Sequence, residues 1–169
     1  MPEIVELLTY PESDGFLYTK SVEISDITHE IVQLAHQMAQ IMYETDGIGI
    51  SAPQVGINKR LIVLDCTKEK NNTVYIVNPV ITWQSRETSQ GKEGCLSYPG
   101  LLMPVTRPKR VMVEGLDLDG KKISFEATGL YARCICHEVD HLDGIPYMKR
   151  VSRQVRRHLM RKWMKKYEL

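Results

Sequence analysis

No apolar run in this 169-residue chain approaches the ~20 residues that a helix needs to cross a bilayer, so a membrane-spanning protein is not expected. Cysteine is also scarce. Cys66, Cys95, Cys134 and Cys136 are too few and too unevenly spread for a secreted disulfide framework, which leaves free thiols or metal ligands. Internal repeats, low-complexity tracts and Gly/Ser-rich or Pro-rich linkers are missing, and one domain spanning 1–169 is the simplest organisation. The opening MPEIVELLTYPES carries acids where a signal or transit peptide carries basic residues, so a cytoplasmic location is expected.

The composition that is present, 43% apolar and 25% charged, is that of an ordinary globular protein long enough to bury a substantial core. Its net charge of +1 hides an asymmetry: residues 151–169 carry +6 and the rest −5. Ile27, Ile31, Leu34, Met38, Ile41 and Met42 form one apolar stripe, predicting a helix capped by Ser25 or Asp26 and ended by Asp46-Gly47. GIGISAPQVG (47–56) reads as an irregular segment that brings backbone close to something else. LIVLDC (61–66), TVYIVNPVITW (73–83), RVMVEGLDL (110–118) and KKISFEAT (121–128) read as strands, the last two joined by a tight turn at Asp119-Gly120.

After Gly129 the period changes. Leu130, Cys134, His137 and His141 recur at helical steps up to a stop near Asp143-Gly144 and Pro146. In a last, basic helix Val155, Leu159 and Trp163 share one side, extended by Met160, Met164 and Tyr167. This order predicts an α+β fold: mostly antiparallel sheets packed around a central H-E-x-x-H helix, with an amino-terminal and a carboxy-terminal helix.

The chemistry concentrates in CHEVDHLDG (136–144). Helical residues four apart differ by only about 40° around the axis, so His137 and His141 can share one cation. Glu138, about 100° round from His137, lies beside such a cation and is placed to handle the proton of its water. Zinc peptidases with this motif commonly take a third ligand further downstream, where only Asp143, His158 and Glu168 are available. Cys134, on the same helix face, is the local candidate for a third ligand, whereas Cys136 points away.

With GIGISAPQVG before it and CHEVDHLDG after it, KEGCLSYPG (92–100) completes three patterns in the order found in the peptide deformylase family, which the chain resembles from about residue 5 to about 150. The resemblance implies that Cys95, His137 and His141 bind one divalent metal, with Cys134 becoming a wall of the neighbouring substrate pocket. It implies Fe(2+) as the cellular metal, with Zn(2+), Ni(2+) or Co(2+) able to replace it. Three protein ligands leave the fourth position open for water.

The implied reaction is hydrolysis of the formyl group from the N-terminal formylmethionine of nascent peptides, releasing formate. Activated water attacks the formyl carbon, the Gln54 side-chain amide and the Leu96 backbone N–H receive the developing oxyanion, and Glu138 passes the proton to the departing amine. Ile48, Leu130 and Cys134 are candidates to line the methionine pocket, and Gly49 to bond the peptide backbone. Glu93 is expected to support the ligand loop, and Asp140 either to pair with Arg107 and brace the ligand helix or to be a solvated carboxylate.

Four features depart from the family pattern. Ser51 replaces the usual alanine, Cys136 a common glutamine, the amino-terminal stretch lacks a Leu-Arg pair, and Leu101-Leu102 replace polar or basic residues. None removes a catalytic group. The +6 helix suggests contact with ribosomal RNA through phosphates, with no specific DNA and no membrane as partners. The alternatives are an H-E-x-x-H metallopeptidase and a noncatalytic metal-stabilised ribosome-binding module.

Overall fold

A computed structural model describes residues 4–168. Helix α1 (Asp14–Leu17) and helix α2 (His29–Glu44) precede β1 (Gly49–Ser51), a single 3-10 turn (Ala52–Val55) and β2 (Leu61–Leu64). Strands β3 (Val74–Gln84), β4 (Thr88–Cys95), β5 (Tyr98–Pro108), β6 (Arg110–Leu116) and β7 (Lys122–Thr128) follow, then α3 (Gly129–Leu142), a 3-10 turn (Tyr147–Arg150) and α4 (Arg153–Tyr167). The architecture is α+β, and every strand pairing within the two sheets is antiparallel.

The larger sheet runs β1-β2-β3-β6-β7, while β4 and β5 leave it to form a two-stranded sheet of their own. Successive strand side chains point to opposite faces, which explains why β2 is an unbroken apolar run. Ile62 and Leu64 pack with Ile76, Val111 and Val113 against Ile135, Val139 and Leu142 of α3. Leu61 and Val63 face the other way, onto Ala35, Met38 and Met42 of α2. The five-stranded sheet is thus covered by a helix on each side, with α3 also touching β5 of the smaller sheet.

Three expectations change. Helix α2 (His29–Glu44) is capped at Thr28 rather than at Ser25 or Asp26; the Ser25 hydroxyl donates to the Asp26 carboxylate, and neither side chain accepts from a helix N–H. GIGISAPQVG is only partly irregular, since Gly49–Ser51 pairs with Ile62–Leu64. That strand was hidden because all three of its residues are buried, leaving no alternation to read.

The third change is the β4–β5 hairpin, which no strand signal announced. Its sequence TSQGKEGC is polar and glycine-bearing, and β5 contains Pro99, Pro104 and Pro108. Proline is tolerated there because β5 pairs on one side only. A separate core seals this region: Tyr98, Leu101, Met103 and Val105 pack with Tyr147, Met148 and Trp163, and the Trp163 indole donates to the Pro99 carbonyl at 2.7 Å.

Candidate metal centre and active site

Helix α3 begins at Gly129, whose φ of +58° suits glycine, and runs between the two sheets so that every residue from Cys134 to Leu142 is buried. Its four-residue spacing stacks His137 and His141, whose Nε2 atoms lie 3.1 Å apart. The third donor arrives from the hairpin. Cys95 pairs with Tyr98 across the two-residue turn Leu96-Ser97, and a register shift after Glu93 completes the turn geometry. Cys95 Sγ lies 3.3 Å from His141 Nε2, and the donor atoms of Cys95, His137 and His141 are all within 4.8 Å of one another.

Alternation along β4 buries Glu93 and Cys95 on one side and leaves Gly94 exposed. Glu93 accepts from His137 Nδ1 at 3.2 Å, leaving Nε2 to face the cluster. Burial alone would raise the Glu93 carboxyl, but hydrogen bonds from His137 and Arg107 outweigh it and hold it at about 2. Arg107 spans Glu93 and Asp140, and Arg133 and Arg150 add further bonds to the same two acids. Asp140 and Arg107 therefore pair as expected from sequence, and Arg107 directly bridges the hairpin to the ligand helix.

The electrostatics suit a cation. Burial disfavours a proton on His137, yet the neighbouring Cys95 sulfur and the hydrogen bond to Glu93 lift it to about 10. His141 is driven well below the usual imidazole range, first by burial and then by His137. A cluster that draws one positive charge and keeps a second imidazole neutral offers the donor set that a divalent ion uses.

Glu138 sits beside this cluster, and among the described residues its buried Oε2 has no hydrogen-bond partner. Burial pushes its carboxyl up to about 7, against the pull of His137. Gln54 comes from the opposite wall. Its Oε1 accepts from the Ser51 backbone N–H at 2.9 Å and the Ser51 hydroxyl at 3.0 Å, which turns Nε2 toward Cys95 Sγ at 3.5 Å and Ser97 Oγ at 3.4 Å.

A pocket of about 660 Å³ opens onto these groups. Ile48, Gly49, Gln54, Cys95, Leu96, Leu130, Cys134, His137 and Glu138 all border it, so every expected site residue except His141, buried beneath the others, reaches the cavity. Leu130 is 54% exposed and stands at the rim rather than deep in the wall. Cys134 Sγ donates to the Ile48 carbonyl at 3.4 Å and does not join the three-donor cluster. An added Cβ at Gly49 would lie 2.5 Å from Cys134 Sγ and 2.6 Å from Glu138 Oε1, so this close approach requires glycine.

Sequence reasoning missed Arg133, Arg150 and the Ser51 grip on Gln54. Arg133 had a signal, a charge four residues before His137 on the buried helix, where it now bonds Glu93, Ser89 and the Val105 carbonyl. Arg150, beyond the helix stop, had none.

An α+β scaffold that presents a thiol and two imidazoles around one point, beside a buried carboxylate, defines a metal-dependent hydrolase. Comparison with known proteins narrows the class. The family model described as polypeptide deformylase matches residues 4–157, and the chain belongs to that family. It is 44% identical over 164 residues to a peptide deformylase of Thermodesulfovibrio yellowstonii, covering 96% of this chain and 97% of the relative. Peptide deformylase 2 of Gloeobacter violaceus is 46% identical over 144 residues, covering 84% and 77%. The crystal structure of a peptide deformylase from Synechococcus elongatus in complex with actinonin superposes with a TM-score of 0.88 at 37% identity, covering all of this chain and 90% of that one.

Proposed function

We propose that the protein removes the formyl group from the N-terminal formylmethionine of newly made polypeptides, releasing formate, with Fe(2+) held by Cys95, His137 and His141 in the cell. The observation that carries this reading is the convergence of Glu138, with its unpartnered Oε2, and the locked Gln54 amide on the three-donor cluster. A divalent cation there would lower the pKa of water toward neutrality and so supply a nucleophile.

Glu138 accepts the proton of that water and delivers it to the departing amine, a shuttle suited to a carboxyl near neutrality. Gln54 Nε2 and the Leu96 backbone N–H stabilise the negative charge that builds on the formyl oxygen. Ile48 and Cys134 line the methionine pocket with Leu130 at its rim. Gly49, on an edge strand of the larger sheet, bonds the peptide backbone. Formyl is preferred over larger acyl groups because only hydrogen must fit between the cluster and the two oxyanion donors.

We read residues 1–169 as one catalytic domain acting in the cytoplasm. Among the described residues no helix is long and apolar enough to cross a membrane. Arg153, Arg157, Arg161 and Lys165 recur every four residues along the exposed side of α4, which suits contact with ribosomal phosphates. Because Trp163 is part of the core, reversing those four charges tests docking better than deleting the helix. Salt-sensitive ribosome binding should then fall while cleavage of a short formyl peptide persists; unchanged binding would reject the contact.

The decisive test is anaerobic: quantify bound metal and assay formate release from formyl-Met-Ala. Formate from the native enzyme, with activity lost but metal retained in Glu138→Ala, supports the assignment. Metal-loaded native protein that releases no formate from this or longer formyl peptides rejects it. Cleavage of internal peptide bonds would instead favour the metallopeptidase reading, for which the structure offers no downstream ligand among the described cluster residues.

A further inference from the structure

A free sheet edge is a template for pairing, and proteins blunt such edges with shortness, proline or bulges. Three edge strands of this fold are blunted: β1 is only three residues long, β5 carries three prolines, and the β4–β5 register shifts after Glu93. Strand β7 is not. It is the outer strand of the five-stranded sheet, seven residues long without proline, and its register against β6 runs unbroken from the Arg110–Thr128 pair to the Leu116–Lys122 pair. Among the described residues its backbone pairs with β6 alone, so alternate N–H and C=O groups point out past the edge. The side chains alternate as well. Ile123 and Phe125 turn toward α3 and remain partly uncovered, Phe125 stacking on Tyr131 at 5.7 Å beside a hollow of about 520 Å³. Lys122, Ser124 and Glu126 are exposed on the opposite face, with the two opposite charges placed symmetrically about Ser124.

We propose that β7 is a dimerisation edge, through which two copies of this chain pair antiparallel about a two-fold axis at Ser124 and join their larger sheets into one. In a two-fold contact each residue pair occurs twice, so the strand must be complementary to itself. Centred on Ser124, the register sets Lys122 opposite Glu126 of the second copy and Ile123 opposite Phe125 of the second copy. Unlike charges then meet on one face and apolar side chains on the other, the pairings that stabilise adjacent strands. Moving the centre by one residue sets Lys122 against Ser124 or Thr128 and matches no charges. The Ser124 register also brings Asp119 of the second copy opposite Gly129, at the start of α3, a helix with no side-chain cap and no acid in its first turn. Strand β1, which carries Gly49 at the metal-site pocket, is the other edge of the same sheet, so both pockets stay open.

The proposal is independent of the deformylase reading. Sedimentation of the metal-loaded full chain, followed from about 1 to about 300 μM, should show a reversible monomer–dimer equilibrium. Lys122→Glu places like charges across the axis twice, as does Glu126→Lys, and each variant alone should dimerise about tenfold more weakly or worse. Mixed in equal amounts, the two variants bring an acidic edge to a basic one and should form a heterodimer with near-native affinity. Both side chains are exposed, so unfolding midpoints of the dilute variants should match the native one and show that the fold is intact. A native chain that stays monomeric throughout would overturn the proposal, as would a dimer indifferent to either reversal. A mixture of the two variants that stays monomeric would reject the Ser124 register and the proposal with it.

Discussion

The site is shared between two regions of different physical character. Helix α3 carries His137, Glu138 and His141 within little more than a turn and is packed between two sheets. The β4–β5 hairpin carries Cys95 and Leu96 on a two-stranded sheet with prolines and an exposed glycine, outside the main sheet order. The helix places its donors by its own periodicity, whereas the hairpin must be positioned by the rest of the molecule. Arg107, Arg133, Glu93 and Asp140 do this from within, and Trp163 seals the hairpin from α4. A donor set with one local and one distant contributor is only as well ordered as the contacts that register the two.

The largest effects should come from removing one chemical group from each side. Glu138→Ala should lower kcat by about 10²–10⁴-fold with metal retained, as expected for loss of a general acid–base. Cys95→Ala should lose activity together with metal, so formate release and metal content measured side by side separate the two contributions. The link between the regions comes next. Arg107→Leu removes the side chain that bonds both buried carboxylates, leaving Glu93 to Arg133 and His137 and Asp140 to Arg150, and should cost about 1.5–3 kcal/mol of stability, read as a lower denaturant midpoint. A midpoint equal to the native one would show that the helix and hairpin are registered by packing alone.

Gln54→Ala leaves both regions standing but removes an oxyanion donor, and kcat should fall about 10²–10³-fold with KM little changed. The pH dependence sharpens the same comparison. The Glu93 carboxyl is depressed in the fold to about 2, so its contribution to stability is complete above the usual glutamate range and is lost as pH falls from there toward about 2. Unfolding midpoints across that window should decline less steeply in Glu93→Gln. The smallest effect belongs to Ser51→Ala: one neutral hydrogen bond to Gln54 is worth about 1 kcal/mol, so kcat should drop only a few-fold because the Ser51 backbone N–H still holds the amide.

Much of this was legible in the sequence for stated reasons. The period of α3 announced the histidine pair, and the β-branched and aromatic runs of β2, β3, β6 and β7 announced most of the larger sheet. EGCLS pointed to Cys95 only through family resemblance; residue spacing alone favoured Cys134, which is nearer in sequence and on the proper helix face. The hairpin itself was illegible because prolines, glycines and polar residues on a sheet with little pairing erase the strand signal. The start of α2 was misplaced because Ser25, Asp26 and Thr28 are all residue types that cap helices, and the chain uses Thr28.

By itself, then, the sequence determined whatever depends on short-range periodicity and composition: the α+β class, the main helices, four of the strands, and a histidine pair with a carboxylate beside it. Only the tertiary structure decided which cysteine meets those histidines, how Ser51 turns the Gln54 amide, and how one arginine bonds acids from both regions. Apart from the local Ser51–Gln54 contact, they join residues 14 to 46 positions apart, and their geometry is set by how the sheets and helices stack, which no local pattern encodes.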